Sequence, residues 1–438
     1  MSLSKADYVK SIFQAASGNF LEMYDFFIYG FYAQYIAKAF FPAHNQYISL
    51  MVTFSTFAAG FLMRPIGAII LGGYIDREGR RKGLMLTLAI MAIGTISIAI
   101  VPTYESIGLL APLLVVLGRL LQGFSAGVEV GGASVYLSEI APARHRGFFV
   151  AWQSSSLQLA TMTAAGIGYL LNSVMMPDTI QAWGWRIPFF IGALIVPLLL
   201  VLRTTMRETD AFLAQRKHPE FSEIMRSMIL NYRIIIVGAL LISMTTVAFY
   251  LSEIYTPTFG RVVLHLSASD SLLTSFAVGL VALFAVPAMG ALSDRIGRRP
   301  LLIAATILAM ATSYPVLLWL VSNITFYHLV LTEIWFALLY AMYNGAAMVT
   351  LTEIMPARVR TVSLAFAFSV AVALFGGFTP MISTWLIHTT ADKASPGYWL
   401  TFAALCGICA TLMLPRSKNL ASTDTAAQVG SSVPNFSD

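Results

Sequence analysis

Gly72-Gly73-Tyr74-Ile75-Asp76-Arg77-Glu78-Gly79-Arg80-Arg81 returns 218 residues later as Gly290-Ala291-Leu292-Ser293-Asp294-Arg295-Ile296-Gly297-Arg298-Arg299. A second stretch, Glu139-Ile140-Ala141-Pro142-Ala143-Arg144-His145-Arg146, returns 214 residues later as Glu353-Ile354-Met355-Pro356-Ala357-Arg358-Val359-Arg360. Two motifs repeated in the same order at nearly one offset mark an internal duplication. Each copy is a short polar loop between long apolar runs. Duplication of this kind belongs to transporters whose halves move about a site near the middle of the membrane.

Working outward from these loops, runs of the length a membrane helix needs, about 17–25 residues, lie at 11–37, 50–73, 83–101, 111–135, 148–172, 186–203, 233–257, 270–292, 301–320, 326–350, 362–387 and 397–415. The expected fold is therefore an all-α membrane protein with twelve transmembrane helices in two six-helix pseudo-repeats. The halves are 1–203 and 233–415. A central polar loop, 204–232, joins them, and a Ser/Thr/Ala-rich tail, 416–438, is expected to be disordered. The chain is 58% hydrophobic and 11% charged, against about 25% charged for soluble proteins. That composition cannot cover a water-soluble surface. The first run carries Glu22 and Asp25 and no small-residue cleavage site, so it reads as a retained span and not a signal peptide.

The net charge of +6 could suggest a nucleic-acid partner, but its placement argues against one. Of 27 Lys and Arg, 21 fall on the side shared by both termini, and only Lys38, Arg186, Arg261 and Lys393 fall on the other. By the positive-inside rule both termini are expected in the cytoplasm. Cys406 and Cys409, the only cysteines, sit in the last run and read as packing residues. No GxxxxGK[ST] loop or zinc-ligand pattern occurs in the chain, and the G-x-S-x-G run Gly123-Phe124-Ser125-Ala126-Gly127 lies inside an apolar span and not at a strand-to-helix turn, which argues against an ATP-driven pump and against an enzyme.

The G-x-x-x-D-R-x-G-R-R loop, present twice at the same relative position, resembles the signature loop of the major facilitator superfamily. Gly18-Asn19-Phe20-Leu21-Glu22-Met23-Tyr24-Asp25-Phe26-Phe27, Arg64-Pro65-Ile66-Gly67, Gly118-Arg119-Leu120-Leu121-Gln122-Gly123-Phe124-Ser125-Ala126-Gly127 and Trp183-Gly184-Trp185-Arg186-Ile187-Pro188-Phe189 resemble its metabolite–proton symporter branch. Within that branch, Met342-Tyr343-Asn344-Gly345, Phe375-Gly376-Gly377-Phe378-Thr379-Pro380 and Lys393-Ala394-Ser395-Pro396-Gly397-Tyr398-Trp399 are most similar to bacterial citrate–proton symporters. The likeness runs from about residue 15 to 415. Glu253 and Glu333 depart from that pattern. The resemblance implies a central cavity lined by the first, fourth, seventh and tenth spans. It also implies a bacterial inner-membrane location.

Each of those spans has a polar stripe. At 100° per residue, Asn19, Glu22, Asp25 and Tyr29 fall within about 120°, as do Arg119, Gln122, Ser125 and Glu129. Ser243, Thr246, Tyr250 and Glu253 fall within about 80°, and Glu333, Tyr340, Tyr343 and Asn344 within about 100°. A charge at the centre of a span costs roughly 2.5–3.5 kcal/mol or more, so these groups should face a cavity or one another.

Arg64 and Arg119 are the cations inside the spans. Guanidinium matches a carboxylate as a fork, so both are candidate ligands for an anionic substrate, with Asn19, Gln122, Tyr343 and Asn344 beside them. Arg119 lies closer to the midplane and is weighted first. Its alternative is a structural pair with Glu22, Asp25 or Glu129, while Arg64, next to Pro65, could instead serve packing or a gate.

Glu22, Asp25 and Glu129 are candidate proton carriers, because a carboxyl desolvated in a cavity takes up a proton more readily. Their alternative is fixed pairing with the arginines. Glu253 and Glu333 lie nearer the far ends of their spans and are expected to be solvated at the mouth. Asp76, Arg77, Arg80, Asp294, Arg295 and Arg298 are candidate gating residues, whose charge pairs could hold the halves together. Trp183 and Trp185, near a helix end, fit an interfacial belt.

The reading is a proton symporter importing citrate or tricarballylate by alternating access, working as a monomer, with protons as the co-transported ion and no cofactor or metal. Rival readings are a proton symporter for another organic acid or an osmolyte, and an efflux antiporter. Family antiporters carry a Gly-Pro motif in the fifth span. Val150–Leu171 contains no proline.

Overall fold

The computed structural model describes residues 12, 19–20, 23–78, 80–127, 129–142, 144–194, 226, 228–356 and 360–414, with backbone alone at 73, 75–78, 80–82, 84 and 129. Glu22, residues 204–225 and the tail 416–438 therefore lie outside the described residues. So do the side chains of Asp76, Arg77, Arg80 and Glu129.

Among the described residues all regular structure is helical, and eight helices are long and apolar enough to cross a membrane. These are the second, fourth and seventh to twelfth of the expected spans, and the four others are helical over nearly all of their described residues. The fifth, Arg146–Val174, has ample length but carries a polar run from Gln153 to Gln158. Exposed Ile93, Leu170, Phe284, Leu331 and Leu405 ring the outside of the bundle. Lipid is the only solvent in which that surface is stable, and helices suit it because they satisfy their own backbone.

Local sequence sets where the helices begin and end. Asn45 accepts from the Tyr47 amide at the start of Gln46–Leu62. Ser267 accepts from Asp270 at the start of Ala268–Ile296, and Thr325 from His328 at the start of Phe326–Ile354. Each is an N-cap that satisfies an otherwise orphan amide. Gly297 ends the eighth helix with φ of 93°, and Arg298 begins the ninth immediately after it. A side chain is strained at that φ, so the repeated glycine of the motif is what makes the turn this short.

The two halves meet along matching seams. The fifth helix packs on the eighth, and the eleventh, Arg360–Ala371 and Thr379–Thr390, packs on the two pieces of the second, Gln46–Leu62 and Arg64–Glu78. Exchanging each helix for its counterpart in the other half, the fifth for the eleventh and the eighth for the second, turns one pair into the other, which is the pseudo-symmetry expected of a duplication. Gly147 and Gly290 let the fifth and eighth backbones approach so closely that a Cβ on either would meet the other's carbonyl oxygen. Small residues at such crossings are the usual means of tight helix packing in lipid.

Both ends of the seam are closed. At the end carrying the 294–299 loop, Asp294 reaches across from the C-terminal half. It accepts from the amides of Gly147 (2.9 Å) and Phe148 (3.0 Å), the first turn of the fifth helix. Arg298 holds that carboxylate at 2.7 Å and also reaches Glu353 at 3.2 Å. Arg295 is exposed and takes no part. At the far end Arg261 donates to Tyr35 Oη (2.6 Å), and the Tyr47 and His388 rings stack at 3.8 Å.

Trp185 departs from expectation. It is fully buried against Phe40 and Phe189 and is a core residue, while Trp183 alone stays exposed. Arg186 explains this: it lies over the Trp185 ring at 4.3 Å and donates to the carbonyls of Ala99 and Val101, pinning the segment inward.

Asp294→Asn removes the anion from a helix N-terminus, where such a charge contributes about 0.3–1 kcal/mol, up to about 2 when partly buried. Spin labels on His145→Cys and Ile296→Cys should therefore report a longer mean separation in the Asp294→Asn protein. An unchanged distance distribution would show that the seam does not depend on this carboxylate.

Candidate functional site

The site lies between the halves, where seven spans converge on a cavity of about 30 Å³. Met23 comes from the first, Arg64 from the second, Gln153 and Ser154 from the fifth, Thr245 and Tyr250 from the seventh, Tyr340 and Asn344 from the tenth, and Val372 from the eleventh of these elements, with Val130 of the fourth completing the wall. The volume is that of about one water, whereas ligand pockets run to roughly 300–1,000 Å³. The cavity is thus occluded and too small for such a ligand in this form.

The wall is rich in unsatisfied donors. Arg64 is 2% exposed, and its Nε has no hydrogen-bond partner. One of its terminal nitrogens donates only to Met23 Sδ at 3.5 Å, and its guanidinium lies 5.1 and 5.2 Å from the Phe26 and Phe61 ring centres. Gln153 Nε2 and Asn344 Nδ2 are likewise buried without partners. Leaving such donors unpaired costs about 1–3 kcal/mol each, more for a charged one. A ligand made of acceptor oxygens removes that cost.

Arg119 sits behind this wall. It is fully buried, stacked on Phe26 at 4.0 Å and Tyr29 at 4.6 Å, and donates to Gln122 Oε1 at 2.8 Å. Gln122 Nε2 then donates to Thr95 Oγ1 (2.8 Å), and Thr95 donates to Asp25 Oδ2 (3.0 Å). The expected Arg119 and Asp25 are therefore linked, but by a neutral relay and not by an ion pair. Close backbone packing makes room for this: Gly123 abuts Gly60 so tightly that no Cβ fits between the fourth and second helices. The other Asp25 oxygen lies against Gly192 of the sixth span and has no partner.

The remaining expected residues divide. Asn344 lines the cavity, as expected. Asn19 instead bonds Ser156 Oγ (2.7 Å) and the Gln153 carbonyl on the fifth helix. Tyr343 turns toward Gly407 of the twelfth. Its stripe-mate Tyr340 faces the cavity in its place. Glu253 and Glu333 are 0% and 2% exposed and are not at a solvated mouth. Gln153 and Ser154 were not anticipated. The signal for them was the polar run Gln153-Ser154-Ser155-Ser156-Leu157-Gln158, too hydrophilic to face lipid.

With this geometry in place, the comparisons with known proteins are specific. The profile of the family "Sugar (and other) transporter" matches residues 11–228 and, a second time, 220–424. The chain belongs to that transporter family, which is not a family of enzymes. Over 411 residues it is 56% identical to a citrate-proton symporter of Salmonella typhi, covering 94% of this chain and 95% of that one. A citrate-proton symporter of Klebsiella pneumoniae is 54% identical over 413 residues, covering 94% and 93%. A solved major facilitator superfamily proton:xylose symporter, bound to 6-bromo-6-deoxy-D-glucose, shares the fold. It superposes with a TM-score of 0.73 at 21% identity, over 93% of this chain and 95% of that one.

The relay predicts its own weak point. Thr95→Val keeps the shape but leaves Asp25 Oδ2 and Gln122 Nε2 unpaired, at about 1–3 kcal/mol per group. Thermal unfolding of the purified protein should move down accordingly. A variant as stable as the parent would mean that Asp25 is held by other means.

Proposed function

We propose that this chain is a proton-coupled symporter of the bacterial inner membrane that imports a citrate-like tricarboxylate by alternating access, with both termini cytoplasmic. The observation that supports it is the donor excess at the central cavity. Arg64 Nε, Gln153 Nε2 and Asn344 Nδ2 all lack acceptors there, and Arg64 has no described carboxylate within ion-pair reach. A carboxylate-rich substrate supplies what that wall lacks. Full-length identity of 54–56% to two citrate-proton symporters points to the same substrate class.

The steps follow from the fold. The seam opens at the far end when the Arg261–Tyr35 and Tyr47–His388 contacts part, and the anion reaches Arg64. Closure of that end and release of Asp294 from the fifth helix then expose the site to the cytoplasm. Asp25 is the N-terminal-half carboxyl through which a proton favours anion binding: neutralising it leaves the Arg119 and Arg64 charges available to the substrate. Proton and anion binding then assist each other, a coupling free energy shared by two sites.

Uptake of labelled citrate into proteoliposomes should rise with an inward proton gradient and collapse with a protonophore. Uptake that ignores the protonophore and follows sodium would overturn this function. Removing one partner of a desolvated charge pair costs about 2–5 kcal/mol. Even the lower end is about a thirtyfold loss of binding. Arg64→Gln should show that loss, and Arg64→Lys should fall between, since lysine keeps the charge but not the fork. Arg119→Gln should lose less, because Arg119 lies behind the wall. A greater loss at Arg119 than at Arg64 would reverse their roles.

A further inference from the structure

Beyond the central cavity, the described part of the C-terminal half buries two carboxyl groups that the mechanism above does not use. Glu253 lies in the seventh span, within the π-helical turn Tyr250–Tyr255, and is fully buried. Glu333 lies on the tenth and interacts electrostatically with Glu253. No arginine or lysine acts on either among the described residues. The groups around them are neutral: Tyr250 and Tyr255 on the same span, Tyr340 on the tenth, Thr161 and Gln158 on the fifth, and Ser275 on the eighth, whose hydroxyl donates to the Glu253 carbonyl at 3.3 Å.

Hydrogen-bond counting says what this pair needs. Thr161 Oγ1 lies 2.7 Å from Glu253 Oε2 and 3.0 Å from the Gln158 carbonyl oxygen. One hydroxyl proton cannot serve two acceptors. If Glu253 carries a proton, its O–H donates to Thr161 Oγ1 and the threonine donates onward to the carbonyl. Glu333 is placed in the same way: it lies against Thr256, whose hydroxyl already donates to the Ser252 carbonyl at 2.7 Å. One further oxygen of each carboxyl, Glu253 Oε1 and Glu333 Oε2, has no partner. The Gln158 amide lies beside Glu253 and Tyr340 but makes no hydrogen bond of good geometry to either.

We propose that Glu253 and Glu333 form a proton-loading site of the C-terminal half, reached from the central cavity through Tyr340 and Gln158. This rests on the symport reading above. The ligand is a proton and not a metal cation, because the gap beside Glu333, between Leu251, Tyr255, Phe259, Leu317 and Pro396, has no room for even a water molecule. Tyr340 and Ser154 line the cavity, and the Tyr340 hydroxyl faces Gln158, which faces Glu253. The Thr161–Glu253 contact crosses the seam between the halves. Loading the pair therefore keeps that contact and lets the bundle close. Unloading leaves two like charges in an uncharged interior, where each charge costs several kcal/mol, and holds the seam open to water. The proton arrives from outside water while the seam is open there and leaves to cytoplasmic water; no other bond changes.

The test compares the parent with Glu253→Gln, Glu333→Gln and the double variant in proteoliposomes. Glutamine imitates the loaded carboxyl permanently. Citrate exchange and downhill citrate entry should persist in the double variant. Accumulation against a citrate gradient should be lost, and proton entry per citrate, read with a trapped pH dye, should fall. A double variant that accumulates citrate with the parent's proton-to-citrate ratio would overturn this site while leaving the symport reading intact. A parent driven by sodium alone would overturn both. Should the double variant misfold, infrared spectra of the parent and of each single variant decide the matter. The site predicts a protonated-carboxyl band in the parent that weakens in each single variant, and bands unchanged by both substitutions would reject it.

Discussion

Asp294 holds the two halves in register by placing one carboxylate against two amides at the start of the opposite half's fifth helix. Those amides are orphans of helix geometry and carry the positive end of its dipole, so an acceptor from the other half satisfies both. Arg298 keeps the carboxylate aimed, and Gly147 against Gly290 brings the backbones close enough for it to reach. The fifth and eighth helices form the most extensive contact between elements of the described structure, and the central cavity and the Thr161–Glu253 contact both lie along the seam between the halves.

The buried guanidinium groups and the buried Glu253–Glu333 pair stand in different halves, and Asp25 alone joins the arginines among the described buried carboxyls. Guanidinium groups stand in the N-terminal half, covered by Phe26, Tyr29, Phe57 and Phe61, whose ring faces attract a cation without neutralising it. Carboxyls without cations stand in the C-terminal half at Glu253 and Glu333. Had Arg119 been paired directly with Asp25, neither would be free to respond to a substrate. The neutral relay through Gln122 and Thr95 couples them more softly.

The seventh span illustrates how helix irregularity redirects chemistry. Its π-helical segments at Tyr250–Tyr255 and Phe259–Val263 insert extra backbone into a helix that is otherwise regular. Tyr250 still faces the cavity, but Glu253 turns to Thr161 on the fifth helix, off the stripe that a uniform 100° step assigns it. Irregular turns of this type concentrate where function requires a side chain to be re-aimed.

The sequence by itself determined the class, the duplication, the apolar spans and the existence of buried charges. These depend on hydropathy and on spacing along one chain, and lipid allows a polar backbone few other solutions. The repeated motif singled out Asp294, which joins the halves, and the polar stripe of the tenth span singled out Asn344, which lines the cavity. What only the tertiary structure decided was which way each polar side chain looks. Helical periodicity assigns a residue to a face but not to a neighbour, so Tyr340 could not be told from Tyr343, nor the cavity-facing Arg64 from the enclosed Arg119. Burial of Glu253 and Glu333 depends on how the fifth, eighth and tenth helices converge on them, which is a property of packing across the seam and is written in no single span.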